Sequence, residues 1–84
     1  MTTLTVRRYA AIEGGTETEM HVHTETLTGL TSDQARRERV NQLRGDGIEH
    51  EEAFDGTVTS RRVLYKEYPN LHTVHMREVL TWTD

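Results

Sequence analysis

Apolar and polar residues alternate through most of this chain, and one stretch in the middle switches to a helical period. From Leu4 to Ile12 the side chains of Leu4, Val6, Ala10 and Ile12 fall on one side, with Arg8 interrupting them. Glu13-Gly14-Gly15-Thr16 reads as a turn, because two glycines permit positive φ. From Glu19 to Leu27 the alternation resumes, with Met20, Val22, Thr24 and Thr26 facing one way and Glu19, His21, His23, Glu25 and Leu27 the other. The β-branched threonines suit a pleated, half-exposed surface, and the two segments predict a hairpin.

The period then changes. Thr31 is a favoured N-cap, Gln34 stands three residues on as its capping-box partner, and Leu30 is placed to staple onto Ala35. The helix should run from about Ser32 to Arg44, with Gly45 or Gly47 ending it in a left-handed conformation. Its apolar stripe is narrow: Ala35, Val40 and Leu43, extended by Ile48.

After the helix, residues 48–54 put Ile48, His50, Glu52 and Phe54 on one side, although so acidic a run also suits a loop. Asp55-Gly56 favours a two-residue type I′ turn. Residues 57–68 are strand-like, and Pro69-Asn70 breaks the run. The last strand, His72 to Thr83, carries His72, Val74, Met76, Leu80 and Trp82 on one face, with Glu78 as the misfit. The expectation is a single α+β domain over residues 1–84, in the order β-β-α-β-β-β. It has a mostly antiparallel sheet of four or five strands and one helix on one face, stripe down on the apolar side of the hairpin. Tyr65 and Trp82 are expected in or near the core. The other face would show Arg, Glu, Thr, His and Tyr side chains.

Composition narrows the picture. Hydrophobic residues are 33% of 84, too few for a thick core, which predicts a thin sheet with one wet face or, alternatively, a protomer that completes its core by dimerising; a homodimer is the expectation. Without cysteine there is neither a disulfide framework nor a thiolate metal site, which fits a reducing compartment. No stretch has the length of an apolar membrane span, and Met1–Arg8 lacks the order of a signal peptide, so a cytoplasmic protein with no membrane partner is expected. A net charge of −4 argues against general nucleic-acid binding. The chain also has one lysine, Lys66, against nine arginines, a bias associated with GC-rich coding.

Three constellations could carry chemistry. His21 and His23 share a strand face roughly 6.5–7 Å apart, flanked by Glu19 and Glu25, and would need a third ligand to hold zinc or nickel. Exposed histidines on a polar strand are the plainer explanation. The acidic group around Glu49, Glu51 and Glu52 lacks the loop pattern of a calcium site and fits a solvated edge. Arg36, Arg37, Arg39 and Arg44 on the helix, with Arg61 and Arg62 on a strand, would form an anion pocket if they converged. The plainer alternative is pairing with neighbouring acids. No nucleophile motif or phosphate loop is present, so neither an enzyme nor a cofactor is expected.

Leu27-Thr28-Gly29-Leu30-Thr31-Ser32-Asp33-Gln34-Ala35, closing with Leu43-Arg44-Gly45-Asp46-Gly47-Ile48, resembles small uncharacterised proteins of actinobacterial, high-GC phages. The likeness covers about a quarter of the chain and lies in strand–helix punctuation, so it transfers no active-site residue. It implies a phage accessory protein acting in the host cytoplasm. The resulting expectation is a non-enzymatic protein that binds a host or phage protein through an exposed sheet face or edge. The alternative is a module that captures an anionic, nucleotide-like ligand in an arginine-lined pocket, with a dimer interface as one place for it.

Overall fold

The computed structural model describes residues 1–12, 14–67 and 70–84, so the turn residue Glu13 and the strand end at Tyr68-Pro69 lie outside the described residues. The chain forms β1 (Thr2–Ile12), β2 (Thr18–Leu27), α1 (Ser32–Gly45), β3 (Glu49–Glu52), β4 (Val58–Lys66) and β5 (His72–Thr83). The strands make one antiparallel sheet in the order β2-β1-β5-β4-β3, with α1 on one face. The α+β architecture and element order are those the alternation predicts. α1 is not long and apolar enough to cross a membrane.

The helix begins and ends as its punctuation dictates. Thr31 is the N-cap, its hydroxyl accepting the Gln34 N–H while the Gln34 side chain accepts the Thr31 N–H. At the other end Gly47 takes φ +69°, Ile48 N–H donates to Leu43 O at 2.9 Å, and Gly47 N–H donates to Arg44 O at 3.2 Å. That pair of bonds is a Schellman cap, and Ile48 drops onto the core beside it. Gly47, and not Gly45, makes the left-handed turn.

Two turn details depart from expectation. The Asp55-Gly56 connection is a three-residue loop: Gly56 N–H donates to Ala53 O at 3.0 Å, and positive φ occurs at Gly56 but not at Asp55. A type I′ turn needs positive φ at both central residues, so this is the type I turn with a glycine bulge. Phe54 therefore leaves the strand face and points into solvent, fully exposed. On β2 the register slips between Arg8 and Tyr9, pairing Arg8 with His21 but Tyr9 with Glu19. This bulge moves Glu19 to the face opposite His21 and His23, where it meets Arg7.

The core is small and lies at one end. Leu4, Val6, Val58 and Leu80 from the sheet meet Val40 and Leu43 from α1, with Leu27, Ile48 and Trp82 packed around them. α1 lies chiefly over β5, β4 and β3, and meets the expected hairpin through Leu4, Val6 and Leu27. Register explains the shift: β2 turns His23 and Glu25 toward the helix side, opposite Val6 and Leu4, while Met20 and Val22 face out, exposed. A fourteen-residue helix spans about 21 Å, whereas twelve-residue β5 runs about 40 Å. So α1 covers roughly half of one face, and the molecule is elongated, 45 × 24 × 22 Å.

Candidate functional site

Where the helix stops, the sheet carries a polar row across all five strands. His21, Arg8, Glu78, Ser60 and His50 are successive cross-strand partners on the helix side. Arg8 and Glu78, each the odd residue of its own strand, are directly opposite and joined, with Arg8 Nη2 2.8 Å and Nε 3.2 Å from Glu78 Oε2. Two charges of opposite sign thus neutralise each other where the dry core ends. Ser60 is buried beside them, and its hydroxyl has no hydrogen-bond partner among the described residues. His50 Nδ1 lies 2.9 Å from Ile48 O.

Below this row the helix-side face is uncovered. Ala10, Ile12, Leu64, Val74 and Met76 lie there on three adjacent strands, with Arg62 and Lys66 at the β4 margin. An open groove of about 250 Å³ runs along Arg8, Ser60, Arg62, Leu64, Met76 and Glu78. The opposite face has no element on it among the described residues. One half of it is threonine: Thr24, Thr5 and Thr81 form one cross-strand row, and Thr26, Thr3 and Thr83 the next. Thr24, Thr26 and Thr83 are exposed and Thr3, Thr5 and Thr81 half-buried, as suits β-branched polar side chains on an open pleated face. The other half is charged and aromatic. Arg77 grips Glu17 through two bonds, 2.7 and 3.1 Å, and lies 4.3 Å over the Tyr9 ring. The Arg77 guanidinium holds the Glu17 carboxyl below its ordinary pKa, and Glu17 raises that of Arg77.

The six arginines singled out from the sequence are spread over the molecule. Arg36 bridges Asp33 and Glu52, and Arg37 holds the other oxygen of Asp33 at 2.8 Å. Arg39 lines the cleft between α1 and β2 with Glu38 and Glu25, and Arg44 is the basic residue of the last helical turn. Arg61 pairs with Glu51, while Arg62, next in sequence, points to the opposite face with no ion pair among the described residues. A cleft of about 310 Å³ at the β4 margin is lined by Arg61, Arg62 and Arg77 but also by Glu17 and Glu49.

His21 and His23 do share a face, ring centroids 5.1 Å apart, and His23 Nε2 is 3.3 Å from Glu25 Oε1. The bulge has removed Glu19 from that face, and no group of three or more metal-binding side chains gathers among the described residues. Comparison with protein-family models, curated proteins and solved structures finds no match to this chain.

Sequence reasoning missed two features. Pairing of Glu78 with a strand arginine was legible, but not that Arg8, the interruption of the β1 apolar side, is its partner; opposite charges at the same depth of two strands signal such a pair. The second is the unequal length of β3 and β4, four residues against nine. It leaves Arg62–Lys66 an open edge, with Tyr65 exposed rather than in the core.

Proposed function

We propose that this chain is a phage-type accessory protein that works without catalysis, by holding a host or phage protein against its open sheet. The observation that carries the reading is the exposure of Val22, Val63 and Tyr65 on the uncovered face, 41%, 48% and 74% accessible. Residue content supports a binding role over a catalytic one. Cysteine is absent, the Ser32 hydroxyl is engaged by Asp84, and Ser60 is buried. The strand–helix punctuation that resembles phage proteins supports the origin.

The test is capture of partners from an actinobacterial host lysate, using the wild-type chain and a Val22→Glu/Val63→Glu/Tyr65→Glu variant as baits. Because all three side chains are exposed, the variant should keep its circular dichroism spectrum. A defined partner retained by the wild type and lost by the variant is the expected result. A partner held equally by both overturns the reading.

A second reading, capture of an anionic small ligand such as a nucleotide, has the Arg61–Arg62–Arg77 cleft behind it. It predicts a rise in melting temperature with millimolar nucleotide that is lost in Arg61→Ala/Arg62→Ala.

A further inference from the structure

We infer that the open edge of β4, Arg62–Lys66, takes up an acidic extended segment of a partner protein as an added strand; this rests on the protein-binding reading above. β3 covers β4 only at Val58–Arg61, and among the described residues the sheet order places no other strand beyond β4. Backbone groups alternate in direction along an antiparallel strand. Thr57 O accepts from Ala53 on the β3 side, and the register runs without a slip, so Val63 and Tyr65 aim their N–H and C=O outward. Those are the groups that strand addition satisfies.

Side chains set the partner's chemistry. Arg62, Leu64 and Lys66 stand on the helix side, Val63 and Tyr65 on the open face. An antiparallel strand beside them meets a cation, three apolar residues and a second cation, so its complement is acid, three apolar residues, acid. The molecule already uses this chemistry one step away. β3 is Glu-His-Glu-Glu, with Glu49 opposite Arg61 and Glu51 in an ion pair with it. A second copy fits worse: two-fold pairing centred on Leu64 sets Arg62 against Lys66 of the other chain, like charges directly opposite.

The probe is a blocked peptide, Ser-Glu-Val-Leu-Val-Glu-Ser, titrated into the labelled full chain beside its Lys-for-Glu counterpart. The expected result is amide shift changes centred on residues 62–66, slowed exchange at Val63 and Tyr65, and binding of the Lys peptide weaker by about tenfold or more. Arg62→Glu/Lys66→Glu, two exposed positions, should invert that preference. Equal binding of both peptides, shifts confined to β2, or no shift with either overturns the inference. So does concentration-dependent protection of Val63 and Tyr65 in the free protein, which would assign the edge to a second copy. If the peptides fail while the lysate partner still depends on Val22, Val63 and Tyr65, the edge inference falls and the binding reading stands.

Discussion

At the scale of single residues, the two glycines near the helix end do opposite things. Gly47 sits at φ +69° with open space where a Cβ would go, so Gly47→Ala pays only backbone strain, about 1 kcal/mol. Gly45 lies in the last helical turn without positive φ, and Gly45→Ala should be neutral or stabilising by up to about 1 kcal/mol. Denaturant melts of the two variants check the contrast, and equal destabilisation would refute the cap assignment. Ser60 offers a second test. A buried hydroxyl without a partner costs free energy that its removal recovers, so Ser60→Ala should leave stability unchanged or higher. A loss above about 1 kcal/mol would mean that the hydroxyl is bonded after all.

Element ends were the most legible part of the sequence, because capping chemistry is local: Thr31, Gln34 and Gly47 announce themselves within a few residues of where they act. What escaped is non-local. No spacing in β2 reveals a bulge opposite Tyr9, and nothing in residues 48–54 shows that β3 stops after four residues. The arginines illustrate the same limit: four cluster in sequence on α1, yet Asp33, one turn away, and Glu52, from distant β3, claim two of them. The helix start also depends on a distant residue. Asp84 at the end of β5 accepts the Ser32 N–H and hydroxyl at 3.0 and 3.1 Å. Thr2 in β1 donates its hydroxyl to Leu30 O at 2.8 Å, which ties the helix entry to the first strand as well. The Ser32 N–H bond, followed by the Ser32 and Thr2 hydroxyls, lowers the Asp84 pKa from its ordinary 3.8. With the folded-state pKa depressed, the carboxylate's contribution is fully present above 3.8 and disappears as pH falls through the lower folded value. Glu17 and Asp55 are lowered too and act in the same direction. Asp84→Asn should therefore flatten part of the acid limb of a stability–pH curve below pH 4, and an unchanged limb would contradict the clamp.

For the whole molecule, one helix shields the upper half of one sheet face, and among the described residues no other element covers the sheet. That asymmetry predicts unequal sensitivity along a single strand. Leu80→Ala, beneath α1, should cost about 2–5 kcal/mol, a large share of what an 84-residue domain has. Met76→Ala, four residues earlier on the same face but beyond the helix, should cost well under half as much. The strands' alternation showed which side would be greasy; it did not show how far along that side the helix would reach, because coverage depends on the ratio of helix length to strand length. The bare lower end of β4 comes from the shortness of β3, and it is where the proposed partner strand would find unpaired backbone. Residue-resolved amide hydrogen exchange on the dilute free protein tests this most directly. Exchange should alternate along β4, with Val63 and Tyr65 exchanging fast and Leu64, bonded toward β5, exchanging slowly. Uniform protection from 62 to 66 would show that something already covers the edge.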